Sequence, residues 1–119
     1  MEMIDLDELK EKEALKFKRN GFDDLNVDYL YEKDGCHYIA IAHNFVQNGD
    51  VMCDPDMEVK IVPNMKMAEA LSFQRSAPLM YQEVYAKDEN GDVLVNTKIK
   101  KELNSFLNMW LDQIKFHYF

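Results

Sequence analysis

The sequence is poor in the residues that staple or interrupt a chain: its 119 residues include only four Gly, three Pro and two Cys. Two cysteines do not build a disulfide framework, so we expect a reducing, cytoplasmic setting. The low Pro and Gly content, together with 47% hydrophobic residues, excludes a disordered or low-complexity chain. No apolar run approaches the 18 or so residues of a membrane-spanning helix, and the acidic start MEMIDLDELKEKE is not typical of a signal peptide. We expect one domain spanning residues 1–119.

All four glycines follow Asn or Asp, in the pairs Asn20-Gly21, Asp34-Gly35, Asn48-Gly49 and Asn90-Gly91. Such pairs supply the positive φ angles of turns and helix ends. No glycine is left for a phosphate-binding loop, and neither GxGxxG nor GxxxxGKS occurs. Nucleotide-dependent enzymes of those two classes are therefore excluded.

The net charge of −8 lies entirely in the first half of the chain. Residues 1–62 carry fifteen Asp and Glu against seven Lys and Arg, whereas residues 63–119 carry seven of each. A chain of this charge repels the phosphate backbone, so we expect no nucleic-acid partner. An acidic half of this kind favours a basic protein surface instead.

Residues 5–19 predict an N-terminal helix, because they contain no Gly or Pro and are rich in helix formers. Basic residues in the last turn and the pair Asn20-Gly21 are typical of a helix end. The apolar stripe of this helix is imperfect, because Leu15 falls outside it. We therefore expect it to dock at an edge of the fold.

The middle of the chain predicts an antiparallel sheet of about five or six strands. Apolar and polar residues alternate, and strands are expected at residues 27–32, 36–43, 57–62, 65–75, 79–86 and 93–95. Asp34-Gly35 predicts a hairpin turn between the first two strands, and residues 44–55 are expected to be a loop. The composition of residues 65–75 also suits a helix, and Pro78 is expected to open the strand that follows.

Residues 97–115 predict a long amphipathic helix with Asn96 as its N-cap. Its apolar positions fall within an arc of about 140°, the width of a stripe that faces a core; they are Ile99, Leu103, Phe106, Leu107, Trp110, Leu111 and Ile114. The whole chain is therefore predicted to be an α+β domain of two layers, with this helix on one face of the sheet.

Histidine and cysteine chemistry is sparse. His37 and His43 share a face of one predicted strand, but about 20 Å apart, so they do not bind one metal ion. No pair of histidines has helical metal-site spacing, and there is no CxxC. A Cys36–His43 or Cys53–His43 dyad is the remaining nucleophile hypothesis; a lone cysteine in a strand is more often a small core residue.

Three carboxylates alternate along one predicted strand: Asp54, Asp56 and Glu58, opposite Met57 and Val59. Like charges in a row repel each other, and a hard divalent cation relieves that repulsion. The pattern allows a metal or general-base site, with a divalent cation as the only cofactor to consider. It also suits a polar strand that resists aggregation. A second carboxylate, Glu83, lies among tyrosines, where burial would prepare a general acid.

The C-terminal helix leaves Met109 and Phe116 outside its core stripe, and the chain ends with Tyr118 and Phe119. Aromatic and Met side chains near a surface are typical of protein interfaces. These four residues are the candidate interface, for a protein partner or for self-association. The alternative is that the C-terminal aromatics fold back onto the sheet. No small-molecule ligand is identifiable.

Three segments carry a resemblance: GDVMCDPDMEVKI (49–61), PLMYQEVY (78–85) and NSFLNMWLDQI (104–114). In this order they resemble a family of short bacterial proteins of unknown function that are often encoded on plasmids, phages and conjugative elements. The resemblance covers roughly residues 37–115 and leaves out the N-terminal helix. It implies a bacterial or phage source and a role on a mobile element. It carries no catalytic residues to transfer.

Three functions from different classes follow. The first is a non-catalytic protein-interaction module. The second is an inhibitor of a host nuclease or defence system, whose acidic half imitates DNA. The third is a metal-dependent hydrolase that uses Asp54, Asp56 and Glu58. We expect the first.

Overall fold

The chain folds into a long antiparallel sheet with a helix across one of its faces. The computed structural model describes residues 5–19, 21, 23–76 and 79–119. Six strands lie side by side in chain order, each antiparallel to the next, and two more form a separate ribbon. The elements are α1 (Leu6–Lys12), β1 (Ala14–Phe17), β2 (Asp24–Lys33), β3 (Cys36–Gln47), β4 (Asp50–Val62), a 3-10 turn (Pro63–Met65), β5 (Met67–Ser76), β6 (Leu79–Glu83), β7 (Tyr85–Lys87), β8 (Val93–Val95) and α2 (Thr97–Tyr118). This is the expected α+β fold.

The prediction of one helix over residues 5–19 is wrong in its second part, because α1 ends at Lys12. Glu13 adopts a left-handed backbone (φ 67°), which closes α1, and the next four residues pair with β2 as an edge strand. Leu15 and Phe17 are half-buried while their neighbours are exposed. Such alternation is a strand pattern, and it explains why Leu15 does not fit the helical stripe. Asn20, the predicted cap, lies outside the described residues.

The loop predicted over residues 44–55 is also wrong, because β3 and β4 continue through it. Asn48 and Gly49 both have positive φ angles (54° and 83°), which makes a two-residue hairpin turn. A bulge sets His43 opposite two residues of β4, Asp54 and Pro55, which are joined by a cis peptide bond. Proline is tolerated inside a sheet at such a bulge, where a residue leaves the hydrogen-bonded ladder.

The other predicted elements are confirmed, with shifted ends. Asp34-Gly35 is the hairpin turn between β2 and β3, and residues 65–75 form a strand, β5, rather than a helix. The strand predicted over residues 79–86 divides at Val84 into β6 and β7. Pro78, the residue predicted to open it, lies outside the described residues.

Directly paired residues of neighbouring strands lie on the same face of a sheet, so the register defines two faces. The covered face includes the rows Val27–Ile41–Met57–Phe73 and Tyr29–Ile39–Val59–Ala70. The open face includes the rows Asp28–Ala40–Glu58–Ser72–Glu83 and Asn26–Ala42–Asp56–Gln74–Tyr81.

Helix α2 lies across the covered face. Its buried side chains, Leu103, Leu107, Trp110 and Ile114, join one core with Leu9 of α1 and the apolar residues of the strands. Every position of the predicted apolar stripe is buried or half-buried. Asn96 caps the helix by accepting a hydrogen bond from the Ile99 N–H at 3.0 Å. No helix in the described part of the chain is long and apolar enough to cross a membrane.

Candidate functional site

An open groove runs between the C-terminal half of α2 and the turn that joins β4 to β5. Its volume is about 1190 Å³. Ten of the fifteen lining residues are apolar: Leu6, Ile61, Val62, Pro63, Met67, Ala68, Leu107, Leu111, Phe116 and Phe119. The polar ones are Lys66, Asn104, Asn108, Asp112 and Lys115. The lining thus offers hydrophobic contact with a polar rim.

Phe116 and Phe119 form the wall of this groove at the end of α2. Phe116 is 79% exposed, although a phenylalanine normally gains stability from burial. Phe119 is 52% exposed, and its ring lies 5.0 Å from that of Phe17 on β1. Met67 on the opposite wall is exposed as well, and so is Met65, which lies in the same turn but does not line the groove. Large apolar side chains are therefore presented to solvent on both sides of one groove.

The other two candidate interface residues have different surroundings. Tyr118 is half-buried: its hydroxyl donates to the backbone carbonyl of Asp23, and its ring lies 5.9 Å from that of His43. It fastens the end of α2 to the sheet. Met109 is 48% exposed but does not line the groove. The structure thus separates the four candidates into a groove wall, an anchor and an exposed helix position.

The side chain of Asn104 makes two hydrogen bonds, called the clamp below, that hold the middle of α2 against β5 beside the groove. The Asn104 side-chain carbonyl accepts a hydrogen bond from the N–H of Ala70 on β5 at 2.9 Å. Its amide donates to the Lys100 carbonyl at 2.8 Å. Because Ala70 is fully buried, this side chain satisfies a backbone donor that is shielded from water.

The open face of the large sheet is polar and acidic. Asp28, Glu58 and Glu83 stand in one cross-strand row, and all three are exposed. Asp56 stands in the next row, half-buried, opposite the small side chain of Ala42. Burial raises the pKa of Asp56, and the negative charges of Asp28 and Glu58 add to this effect. Four carboxylates from three strands therefore lie together on this one surface.

The alternation predicted for the carboxylates of β4 is present. Asp54 and Glu58 are exposed and Asp56 is half-buried, while Pro55 and Met57 between them are buried. Among the described residues, no group of three or more His, Cys, Asp or Glu side chains is placed to hold a metal ion. The metal site therefore stays a prediction. A thermal-shift titration with Mg²⁺, Mn²⁺, Ca²⁺ and Zn²⁺ tests it, and no shift at millimolar metal would reject it.

His43 lies on the covered face, beneath the end of α2. Its ring contacts Trp110 edge-on at 5.2 Å, and its Nε2 atom is buried without a hydrogen-bond partner. Burial lowers the pKa of His43, while the charges of Asp23 and Asp54 oppose that effect. His37, on the same strand, is bound differently: its Nδ1 is 2.8 Å from the Tyr29 hydroxyl. Each imidazole is thus engaged in the packing of the core layer.

The remaining catalytic hypotheses are the two Cys–His dyads and Glu83 as a general acid, and the described residues assemble no catalytic site for them. Cys36 and His43 lie seven residues apart on β3, roughly 24 Å along a strand, so they do not form a dyad. The side chain of Cys53 lies outside the described part of the structure. Glu83 is exposed, so the burial needed to prepare a general acid is missing; it accepts a hydrogen bond from Tyr81 at 3.3 Å.

A family model describing a domain of unknown function, DUF6908, matches residues 2–119. The chain belongs to this family. The match extends the resemblance seen in residues 37–115 to almost the whole chain, α1 included. No curated protein and no solved structure matches this DUF6908 chain. The features that bear on function are therefore the apolar groove and the acidic open face of the sheet.

The sequence alone identified one wall of the groove, at Phe116 and Phe119, and missed the other. The opposite wall comes from residues 61–68, which look like a strand end and a turn. A usable signal was present: Met65 and Met67 flank Lys66 just after Pro63. Two methionines beside a turn, both exposed in the structure, are unusual enough to indicate a contact surface.

Proposed function

We propose that this protein is a non-catalytic protein-interaction module that binds an apolar segment of a partner protein in the groove between α2 and the β4–β5 turn. The resemblance noted above supports a bacterial protein encoded on a mobile element, and we propose that it acts in the cytoplasm. The observation that carries the proposal is the exposed Phe116 beside a mainly apolar groove of about 1190 Å³.

The size and shape of the groove favour a protein segment over a small molecule. Small-molecule sites are usually about 300–1,000 Å³ and enclose most of their ligand. This groove is somewhat larger than that range and opens to solvent. Exposed aromatic and Met side chains are enriched at protein interfaces, where burying them supplies much of the binding energy. The helix on one side and the β4–β5 turn on the other suit the apolar face of a partner helix.

The test compares two lysines introduced on the same helix. Phe116→Lys places a charge in the groove wall, whereas Met109→Lys places it on the exposed side outside the groove. Both residues are exposed, so the free energy of unfolding of each variant should lie within about 0.5 kcal/mol of that of the parent protein. Quantitative affinity capture from the host lysate, followed by binding measurements with the purified partner, should show at least a tenfold weaker Kd for Phe116→Lys only.

Each other outcome would contradict the binding of a partner protein's segment in this groove. An equal loss of affinity with Met109→Lys would show that the interface lies on the exposed side of α2. A partner that tolerates both changes would place the interface elsewhere. Dimers of the purified protein that disappear with Phe116→Lys would make a second copy the occupant of the groove.

The open face of the sheet favours a second candidate function, inhibition of a host nuclease or defence protein through its acidic surface. Asp28, Glu58 and Glu83 align across the strands on an exposed surface, which suits a groove evolved for phosphates. Asp28→Asn with Glu58→Gln should then weaken inhibition of a DNA-binding enzyme. Inhibition should fall steeply with salt; salt-insensitive inhibition would count against it.

A further inference from the structure

The strand β8 is exposed along its whole length. Its residues Val93, Leu94 and Val95 are 64%, 53% and 47% exposed. It pairs with β7 on one side, and no described strand pairs with its other side. The three other edge strands of the two sheets carry charged residues: Lys16 on β1, Glu83 on β6 and Lys87 on β7. Charges protect an edge from pairing with another chain, and β8 has none.

The hydrogen bonds of the ribbon show which backbone groups face outward. The register pairs Tyr85 with Val95, Ala86 with Leu94 and Lys87 with Val93. The backbone N–H of Asn96 donates to the Val84 carbonyl, and the backbone N–H of Asp88 donates to the Asp92 carbonyl. Hydrogen-bonded pairs alternate along an antiparallel ribbon, so Ala86 and Leu94 form the third such pair. The N–H and C=O groups of Val93 and Val95 therefore point away from β7.

We propose that β8 pairs antiparallel with β8 of a second copy of the chain, about a two-fold axis at Leu94. Val93 of each copy then lies opposite Val95 of the other. The outward groups of these residues are spaced to exchange four N–H···O=C bonds. The two ribbons become one four-stranded sheet, which is more stable than isolated two-stranded ribbons. A two-fold interface of this kind uses the same patch on both subunits.

The charge around β8 selects a second copy and the antiparallel direction. Asp88, Glu89 and Asp92 precede the strand, whereas Lys98 and Lys101 follow it in the first turns of α2. Antiparallel pairing brings the acidic turn of one copy beside the basic helix start of the other. It also sets Asp92 opposite Asn96 of the second copy. Parallel pairing would instead align Asp92 with Asp92, and like charges opposite each other destabilise a sheet.

This interface is separate from the proposed groove, since none of the residues from Tyr85 to Asn96 lines it. The dimer and the partner-binding function can therefore fail independently. Phe116→Lys should leave the dimer intact.

Sedimentation velocity of the purified full chain over a concentration series tests the dimer. We expect a monomer–dimer equilibrium in the parent protein. Val93→Pro removes an N–H that points away from β7, so it should raise the dimer Kd at least tenfold. Val93→Thr keeps this N–H and the β-branched shape, and it should dimerise like the parent. A chain that stays monomeric at the highest concentration, or a dimer that Val93→Pro leaves unchanged, would overturn the proposal.

A charge exchange tests the direction even if the proline variant does not fold. Asp92→Lys and Lys98→Asp should each weaken the dimer, and the double variant should restore it. Lys98 lies in the first turn of α2, where an aspartate is favourable for the helix. Single variants that weaken the dimer without rescue in the double variant would contradict the antiparallel register.

Discussion

The covered and open faces of the large sheet come from alternate residues of the same strands, yet their chemistry is opposite. On β4, Met57 and Val59 are fully buried beneath the helical layer, whereas Asp56 and Glu58 between them belong to the open face. On β3, Ile39 and Ile41 alternate with the small residues Ala40 and Ala42. One face supplies apolar contact with α2, and the other presents carboxylates above small side chains.

This difference assigns separate tasks to the two faces. Burial of apolar area on the covered face provides most of the stability. The open face contributes little burial, and Asp56 is held there against its own desolvation and the charges of Asp28 and Glu58. A surface on which carboxylates are held at a cost in stability is a candidate for recognition.

Trp110→Ala should have the largest effect, because Trp110 is only 2% exposed and contacts His43 and Phe106 on the covered face. Removing an indole from a core costs about 3–5 kcal/mol. Urea denaturation measures this loss. Its control is Met109→Ala, the neighbouring exposed residue, which should change the free energy of unfolding by less than about 0.5 kcal/mol. A loss below about 1.5 kcal/mol for Trp110→Ala would show that α2 contributes little to the core.

Asn104→Ala should cost about 1–3 kcal/mol, because it leaves the buried N–H of Ala70 without an acceptor. Asn108→Ala makes the matched control, since Asn108 lies one turn further along the same helix and is exposed. Both changes alter helix propensity equally, so the difference between the two unfolding energies measures the clamp. Equal unfolding energies for the two variants would show that water replaces the side chain.

His43→Phe should flatten the acid side of the stability profile. Burial lowers the pKa of His43, so the folded state disfavours its protonation. The contribution of the neutral imidazole is complete above its ordinary pKa of about 6.5 and is lost as the pH falls below it. Thermal unfolding between pH 8 and pH 5 should show a fall in the parent that is smaller in the variant. Phenylalanine keeps an aromatic ring against Trp110, and parallel profiles would exclude His43 as the cause.

Asp56→Asn should have the smallest effect and the opposite sign. Burial raises the pKa of Asp56, so its contribution to stability is present below the ordinary pKa of about 3.9 and is lost as the pH rises. Removing the charge should therefore increase the free energy of unfolding at pH 7, on the order of 0.5 kcal/mol after solvent screening. Differential scanning calorimetry checks it against Glu11→Gln, an exposed change on α1. A destabilised Asp56→Asn would mean that this carboxylate has a stabilising partner.

Local patterns predicted the elements whose residues satisfy one rule strongly. The stripe of α2 and its cap at Asn96 required only helical periodicity, and Asp34-Gly35 required only turn chemistry. The same rules, applied less fully, missed Asn48-Gly49 as a hairpin turn. They also assigned Leu15 and Phe17 to a helix, although their spacing of two residues is that of a strand. Helix propensity was outweighed there by pairing with β2.

The candidate surfaces show a similar division. Phe116 and Phe119 were recognisable because aromatic residues outside a core stripe have no burial partner within the helix. The β4–β5 turn that completes the groove was not, since its distance from α2 depends on how the helix crosses the sheet. The acidic surplus was visible as composition, but the alignment of Asp28, Glu58 and Glu83 on the open face depends on strand register.

Local sequence patterns were enough to predict the α+β class, the C-terminal helix with its buried stripe, and the strongest turns, because these depend on periodicity and on residues that favour positive φ angles. Tertiary contacts set where α1 ends, how far β3 and β4 extend, and which side chains meet at the groove. They also leave β8 as an unprotected edge. Such features depend on contacts between residues far apart in the chain, and one residue's shift in register would move each side chain to the opposite face.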